Sequence, residues 1–146
     1  MSKFRRISSL GIVVVLSVSV LFNCTKEVGE DELVERNGLM YEKNSDDPFS
    51  GKSIAYFGNG QKYISVTYTE GKADGLVEEW YENGQIQSRW NIKNGKEQGA
   101  YKEWHDNGQI EETVEYRDGK MHGTRKRWHK DGQVRSKDKY RDGKKL

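Results

Sequence analysis

One cysteine and one proline stand in the 146 residues, and aliphatic side chains are scarce beyond the first 23. With no second thiol, Cys24 cannot build an internal disulfide framework. The shortage of aliphatics argues against a thick core and against a large enzyme cleft, so aromatic rings must carry the packing. No apolar run is long enough to span a bilayer: Leu10 to Phe22 would reach only about 20 Å as a helix against a hydrocarbon core of about 30 Å. The phosphate-cradling pattern Gly-x-x-x-x-Gly-Lys-(Ser/Thr) is missing, and so is the Asp-x-(Asp/Asn)-x-(Asp/Asn)-Gly spacing of a calcium loop. No serine or cysteine nucleophile has a recognisable base. The sequence therefore points to no enzyme, no metal and no cofactor.

At the amino terminus Lys3, Arg5 and Arg6 precede the apolar run, which ends at Leu21-Phe22-Asn23-Cys24. A basic stretch, a short apolar stretch and a processing point make a signal peptide over 1–23. The last four residues resemble the lipobox of bacterial lipoproteins, with Asn23 where Gly, Ala or Ser is usual. That resemblance implies diacylglycerol on the Cys24 thiol, acylation of the new amino terminus, and a place in the bacterial cell envelope on the periplasmic face or the cell surface. At about 0.8 kcal/mol per buried CH₂, several acyl chains make a durable membrane anchor.

Removing 1–23 leaves 22 basic against 23 acidic groups. The imbalance is local: residues 24–123 hold 12 basic and 20 acidic groups, residues 124–146 hold 10 and 3. Along the last predicted strand Arg135, Lys137, Lys139 and Arg141 alternate, and with Arg125 and Arg127 from the preceding one they form a candidate anionic-binding patch for lipid head groups, acidic glycan or an acidic partner. The same charges would also discourage strand addition at an unpaired sheet edge. Export argues against nucleic acid.

A 24-residue period runs from Gly51 without insertion. Tyr56, Trp80, Trp104 and Trp128 recur in register, as do the turn glycines Gly60, Gly84, Gly108 and Gly132, each followed by glutamine. Each unit (51–74, 75–98, 99–122, 123–146) holds two runs of about eight residues around Asn-Gly or Asp-Gly, which reads as a β-hairpin. A three-residue turn with the glycine in the left-handed bulge position sets Trp80 against Ile86, Trp104 against Ile110 and Trp128 against Val134. Continued along the strands, that register sets Leu76 against Trp90 and Ala100 against Val114. The tryptophan row, Val66, Trp90 and Val114 then share one apolar face, while Tyr81, His105 and His129 lie on a wet one. His105 and His129 stand two strands apart, too far for one zinc ion. Residues 37–50 read as a degenerate capping hairpin, and 24–36 as an acidic tether.

The pattern Gly-x-x-x-x-(Trp/Tyr)-x-x-(Asn/Asp)-Gly-Gln, closed by (Asn/Asp)-Gly-Lys, resembles the variant MORN repeat of bacterial proteins labelled YwqK-type antitoxin components. The fold expected is all-β: an elongated single antiparallel sheet of tandem β-hairpins. The function expected is a membrane-anchored scaffold that binds a protein partner. Toxin neutralisation by direct binding is the alternative that the resemblance implies, and a module for glycan or anionic lipid, stacking on the tryptophan row, is a third.

Overall fold

A computed structural model describes residues 26–146, so the leader and Cys24 lie outside the described residues. In chain order the strands are β1 (Glu27–Gly29), β2 (Leu33–Arg36), β3 (Leu39–Glu42), β4 (Gly51–Tyr56), β5 (Lys62–Thr69), β6 (Lys72–Trp80) and β7 (Ile86–Lys93). They continue as β8 (Lys96–Glu97), β9 (Gly99–Trp104), β10 (Ile110–Arg117), β11 (Lys120–Trp128), β12 (Val134–Arg141) and β13 (Lys144–Lys145). From β4 onward consecutive strands are neighbours in one sheet, with β8 a short companion of β7, and β2 and β3 form a separate ribbon. The fold is the expected all-β repeat sheet. It departs from a purely antiparallel one only where β1 lies parallel to β4.

Two turn types alternate. In the first, Tyr81 N donates to Gln85 O at 2.8 Å, Gly84 N donates to Tyr81 O at 2.9 Å, and Gly84 takes φ 83°. The same bonds close the turns at Gly60, Gly108 and Gly132, so the three-residue turn with a left-handed glycine recurs in all four units. The second turn has two residues, both left-handed: Asn94-Gly95, Asp118-Gly119, Asp142-Gly143 and, in the first unit, Glu70-Gly71. Asn and Asp tolerate this conformation because their short side chains bond locally, whereas Glu70 at φ 48° has no such relief. Replacing it should help. Glu70→Asn is expected to raise the melting temperature by about 2–4 °C in a thermal scan.

A second irregularity redirects the faces. Trp80 does oppose Ile86, but the register then shifts, so that Glu79 opposes Ser88 and Val77, not Leu76, opposes Trp90. Likewise Tyr101, not Ala100, opposes Val114. The single apolar face expected from the sequence is therefore corrected to two. The cause is a bulge: Gln87 is an extra residue against Trp80, and one added residue reverses every side chain that follows. Ser53, Val66, Val77 and Trp90 now stand in line across β4 to β7 on one face, while the three tryptophans at the first turns stand on the other.

Both rims are laced from unit to unit. On one rim, Asn59, Asn83 and Asn107 donate through Nδ2 to the Glu82, Asp106 and Lys130 carbonyls at 3.0–3.1 Å. The same side chains accept the backbone N–H of Gln61, Gln85 and Gln109 through Oδ1 at 2.9–3.1 Å. On the opposite rim Gly119 N donates to Glu97 O and Gly143 N to Met121 O, each at 2.9 Å. Repeated bonds of this kind hold successive units at a constant offset, as a one-dimensional array requires.

The acidic segment at 24–36 is not a tether where it is described. Val28 on β1 and Leu33 on β2 are buried with Phe49, and Met40 and Tyr68 pack against them. Val28, Leu33 and Val34 among acids give no periodic signal. The burial of the first two depends on Phe49 arriving from far along the chain. The hairpin of this region is the β2–β3 ribbon, Leu33–Glu42, which begins inside the stretch expected as a tether and docks on the first unit, with Met40 N donating to Gly71 O and Gly71 N to Phe49 O, each at 2.8 Å.

Candidate functional site

The two faces of the sheet differ in chemistry. On the valine face Val77 and Val114 are buried, and Trp90, Tyr101 and Tyr116 form a chain of ring contacts, tilted and then edge-to-face, with centroids 6.1 and 6.2 Å apart. Beside them run Glu79, Glu103 and Glu112, brought to one face by pairing Glu79 with Ser88, Ser88 with Glu103 and Glu103 with Glu112. Each carboxylate has a donor. Ser88 Oγ donates to Glu79 at 2.6 Å, the Tyr101 hydroxyl to Glu103 at 3.3 Å, and Arg125 grips Glu112 through Nε and Nη2 at 2.8 and 2.6 Å. That bidentate carboxylate raises the Arg125 pKa further, although burial opposes the shift.

Burial also raises the Glu103 carboxyl above its usual range, reinforced by the neighbouring Glu111, Glu112 and Glu79 charges and opposed by the Tyr101 hydrogen bond. The folded state therefore binds this proton more tightly than the unfolded chain. Ionised Glu103 disfavours folding at neutral pH, and the penalty disappears as pH falls through the raised pKa towards the unfolded value. Glu103→Gln keeps an acceptor for Tyr101. We expect the variant to melt about 2–4 °C higher than wild type at pH 7.5 and the difference to vanish by about pH 4.

The other face carries Trp80, Trp104 and Trp128, all partly exposed, in line with Tyr56, which is 56% exposed. Lys62 Nζ lies 5.7 Å from the Trp80 ring centre, and Lys126 Nζ the same distance from that of Trp128. Across this face Arg89 opposes Lys102, Lys102 and Lys126 flank Thr113, and Lys126 opposes Lys137. Further like-charged partners meet at the second turns: Lys93 with Lys96, Arg117 with Lys120, and Arg141 with Lys144. Like charges directly opposite on a sheet disfavour folding. Arg89 is relieved by Glu78 at 2.7 Å, whereas Lys102, Lys126 and Lys137 form no ion pair among the described residues.

The basic patch expected at the end of the chain is divided between the faces. Arg125 and Arg127 pair with Asp138 and Ser136 and belong to the valine face, where Arg127 Nε donates to Ser136 Oγ at 3.0 Å. Lys137 and Lys139 pair with Lys126 and Thr124 on the tryptophan face, Arg141 follows them opposite Lys144, and Arg135 is the bulged residue opposite Trp128. Strict alternation from the turn misses the division, because the bulge at Arg135 falls between the two groups.

His105 is also placed differently from expectation. It is 8% exposed, with Nε2 at 3.1 Å from the Trp128 carbonyl and Nδ1 at 2.9 Å from Glu111. Tyr81 makes the equivalent bond to the Trp104 carbonyl at 2.8 Å, and His129, in the last unit, is exposed. This position links units; it does not face bulk water until the array runs out of neighbours.

A family model described as the MORN repeat variant matches residues 73–94, 97–118 and 121–142. The chain carries three consecutive MORN repeat variants. Each matched stretch holds one tryptophan of the row and the three-residue turn that follows it, and ends on the first residue of the two-residue turn. Residues 51–72 lie outside the match yet form the same first turn, with Phe57 N donating to Gln61 O at 2.8 Å. No curated protein matches the chain. Among solved structures it is similar to accessory secretory protein 1, 2 and 3 in Streptococcus pneumoniae, at 13% identity over 77% of this chain and 17% of that one. The TM-score of 0.23 makes the likeness too loose to carry an argument.

Proposed function

We propose that the chain is a lipid-anchored binding scaffold of the cell envelope, whose MORN-variant array docks a protein partner on an open face of its sheet. The observation that carries this reading is the lacing of both rims. Units locked at a constant offset repeat the same side chain every second strand, about every 9.6 Å, and so present a ruled surface. Such a surface suits recognition over an extended area. The anchor rests on Leu21 to Cys24 behind a basic and apolar leader.

Metabolic labelling with a fatty-acid analogue tests the anchor: wild type should be labelled and Cys24→Ala should not. An exported wild type that takes no label would remove it. The scaffold is tested by a photocrosslinking residue placed at Lys102 or, as a control, at exposed Glu82 on a turn. A discrete protein adduct from the first position alone is expected; equal diffuse labelling from both would contradict a defined docking face.

A further inference from the structure

The tryptophan face carries two parallel tracks along the array. Trp80, Trp104 and Trp128 repeat every second strand, about 9.6 Å apart, and Lys102 and Lys126 lie two residues back on the same strands as Trp104 and Trp128, about 7 Å away. Lys137 continues the cationic track by pairing with Lys126. Folding does not account for these cations. Facing like charges oppose it, and unlike Glu79, Glu103 and Glu112 on the valine face, each of which has a hydrogen-bond donor, these lysines have no hydrogen-bond or ion-pair partner among the described residues.

We propose that this face is the binding site for a linear acidic polysaccharide, lying along the array with sugar rings stacked on the indoles and carboxylate or sulfate groups on Lys102, Lys126 and Lys137. The assignment goes beyond the scaffold reading: it takes from it only the open, ruled sheet, and a glycan bound on this face competes with a protein docked there. Three features select the class. Unneutralised lysines in a row require a polyanion. Partly exposed indoles at a constant period require a ligand whose flat, weakly polar faces recur at a constant period, which pyranose rings supply and an acidic polypeptide does not. A spacing of about 9.6 Å is near the length of two pyranose rings but almost three times the roughly 3.4 Å base step of a stacked nucleic-acid strand.

The test uses the full chain purified in detergent, with indole fluorescence as the readout and heparin, polygalacturonate, neutral dextran, oligo-dT, polyglutamate and anionic phosphatidylglycerol vesicles as probes. Heparin or polygalacturonate should shift or quench the emission, less so as salt rises, and dextran should not. Lys102→Gln/Lys126→Gln/Lys137→Gln should weaken binding at least about tenfold while leaving the fold intact, because like charges without ion-pair partners are removed from the surface. Trp104→Leu should weaken it several-fold with an unchanged circular dichroism spectrum. If Trp104→Leu fails to fold, the lysine variant and the salt dependence still decide the matter.

Absence of glycan binding in folded wild type would overturn the proposal. So would glycan binding that the lysine variant retains, or equal or stronger binding of oligo-dT, polyglutamate or the vesicles. The two readings fail separately: a protein adduct at position 102 in cells, with no glycan binding in vitro, would remove the glycan and leave the scaffold, whereas equal diffuse labelling from positions 102 and 82 beside intact glycan binding would remove the protein docking face alone.

Discussion

Arg125→Met is expected to destabilise the array by about 2–4 kcal/mol, the largest effect of any single charge removal in the sheet. Glu112 is only 8% exposed and stands directly opposite Glu103 on the neighbouring strand. Its two short bonds to Arg125 hold a desolvated carboxylate in place, and without them the charge is left buried beside another of the same sign. The companion variant Arg125→Met/Glu112→Leu should recover most of the loss, because the pair is then replaced by apolar side chains on an already apolar face. Denaturant unfolding of wild type, single and double variants checks this. A single variant within about 0.5 kcal/mol of wild type would show that Glu112 is solvated, contrary to its burial.

Gly71→Ala should cost about 2–4 kcal/mol, and Gly119→Ala, at the equivalent turn two units on, only about 1 kcal/mol. Their backbones match, at φ 77° and 76°. Their surroundings do not. A methyl group on Gly71 would lie 2.9 Å from Leu39 Cβ and 3.0 Å from Met40 O, where the cap is hydrogen-bonded, whereas at Gly119 the nearest atom is Lys96 Cβ at 3.8 Å. The difference between the two variants isolates docking of the cap from the conformational preference of the turn. Hydrogen exchange should localise it, with protection lost first at Val28 and Leu33 in Gly71→Ala and retained there in Gly119→Ala. Equal losses in the two proteins would mean that the ribbon at Leu33–Glu42 does not press on Gly71.

The hairpins were legible in the sequence because their signals are local. Asn-Gly and Asp-Gly at a constant period mark every turn but Glu70-Gly71, where the glycine alone keeps the period, and the pairing of Trp80 with Ile86 follows from counting three residues across the first turn of its unit. The bulge just beyond was not legible: Gln87 has nothing in its identity to show that it would oppose a residue already paired. Because a side chain's face depends on parity, that position moved Val77 to the face of Trp90, and the equivalent bulge at Arg135 divided the arginines of β11 from the lysines of β12. One element of the candidate surface could have been read directly. In Lys93-Asn-Gly-Lys96, Arg117-Asp-Gly-Lys120 and Arg141-Asp-Gly-Lys144 the residues flanking a two-residue turn are obligatory cross-strand partners, so facing like charges are written in the chain. Burial of Val28 and Leu33 depends on Phe49, a contact outside any local window.

The division into a valine face and a tryptophan face rests on register, and register is directly measurable. In a backbone-assigned NOESY spectrum, cross-strand contacts should join Trp90 to Val77, Val114 to Tyr101 and Lys137 to Lys126. Contacts joining Trp90 to Leu76 and Val114 to Ala100 would instead put the valines, Trp90 and the tryptophan row on one side of the sheet, and the two-faced account would be wrong.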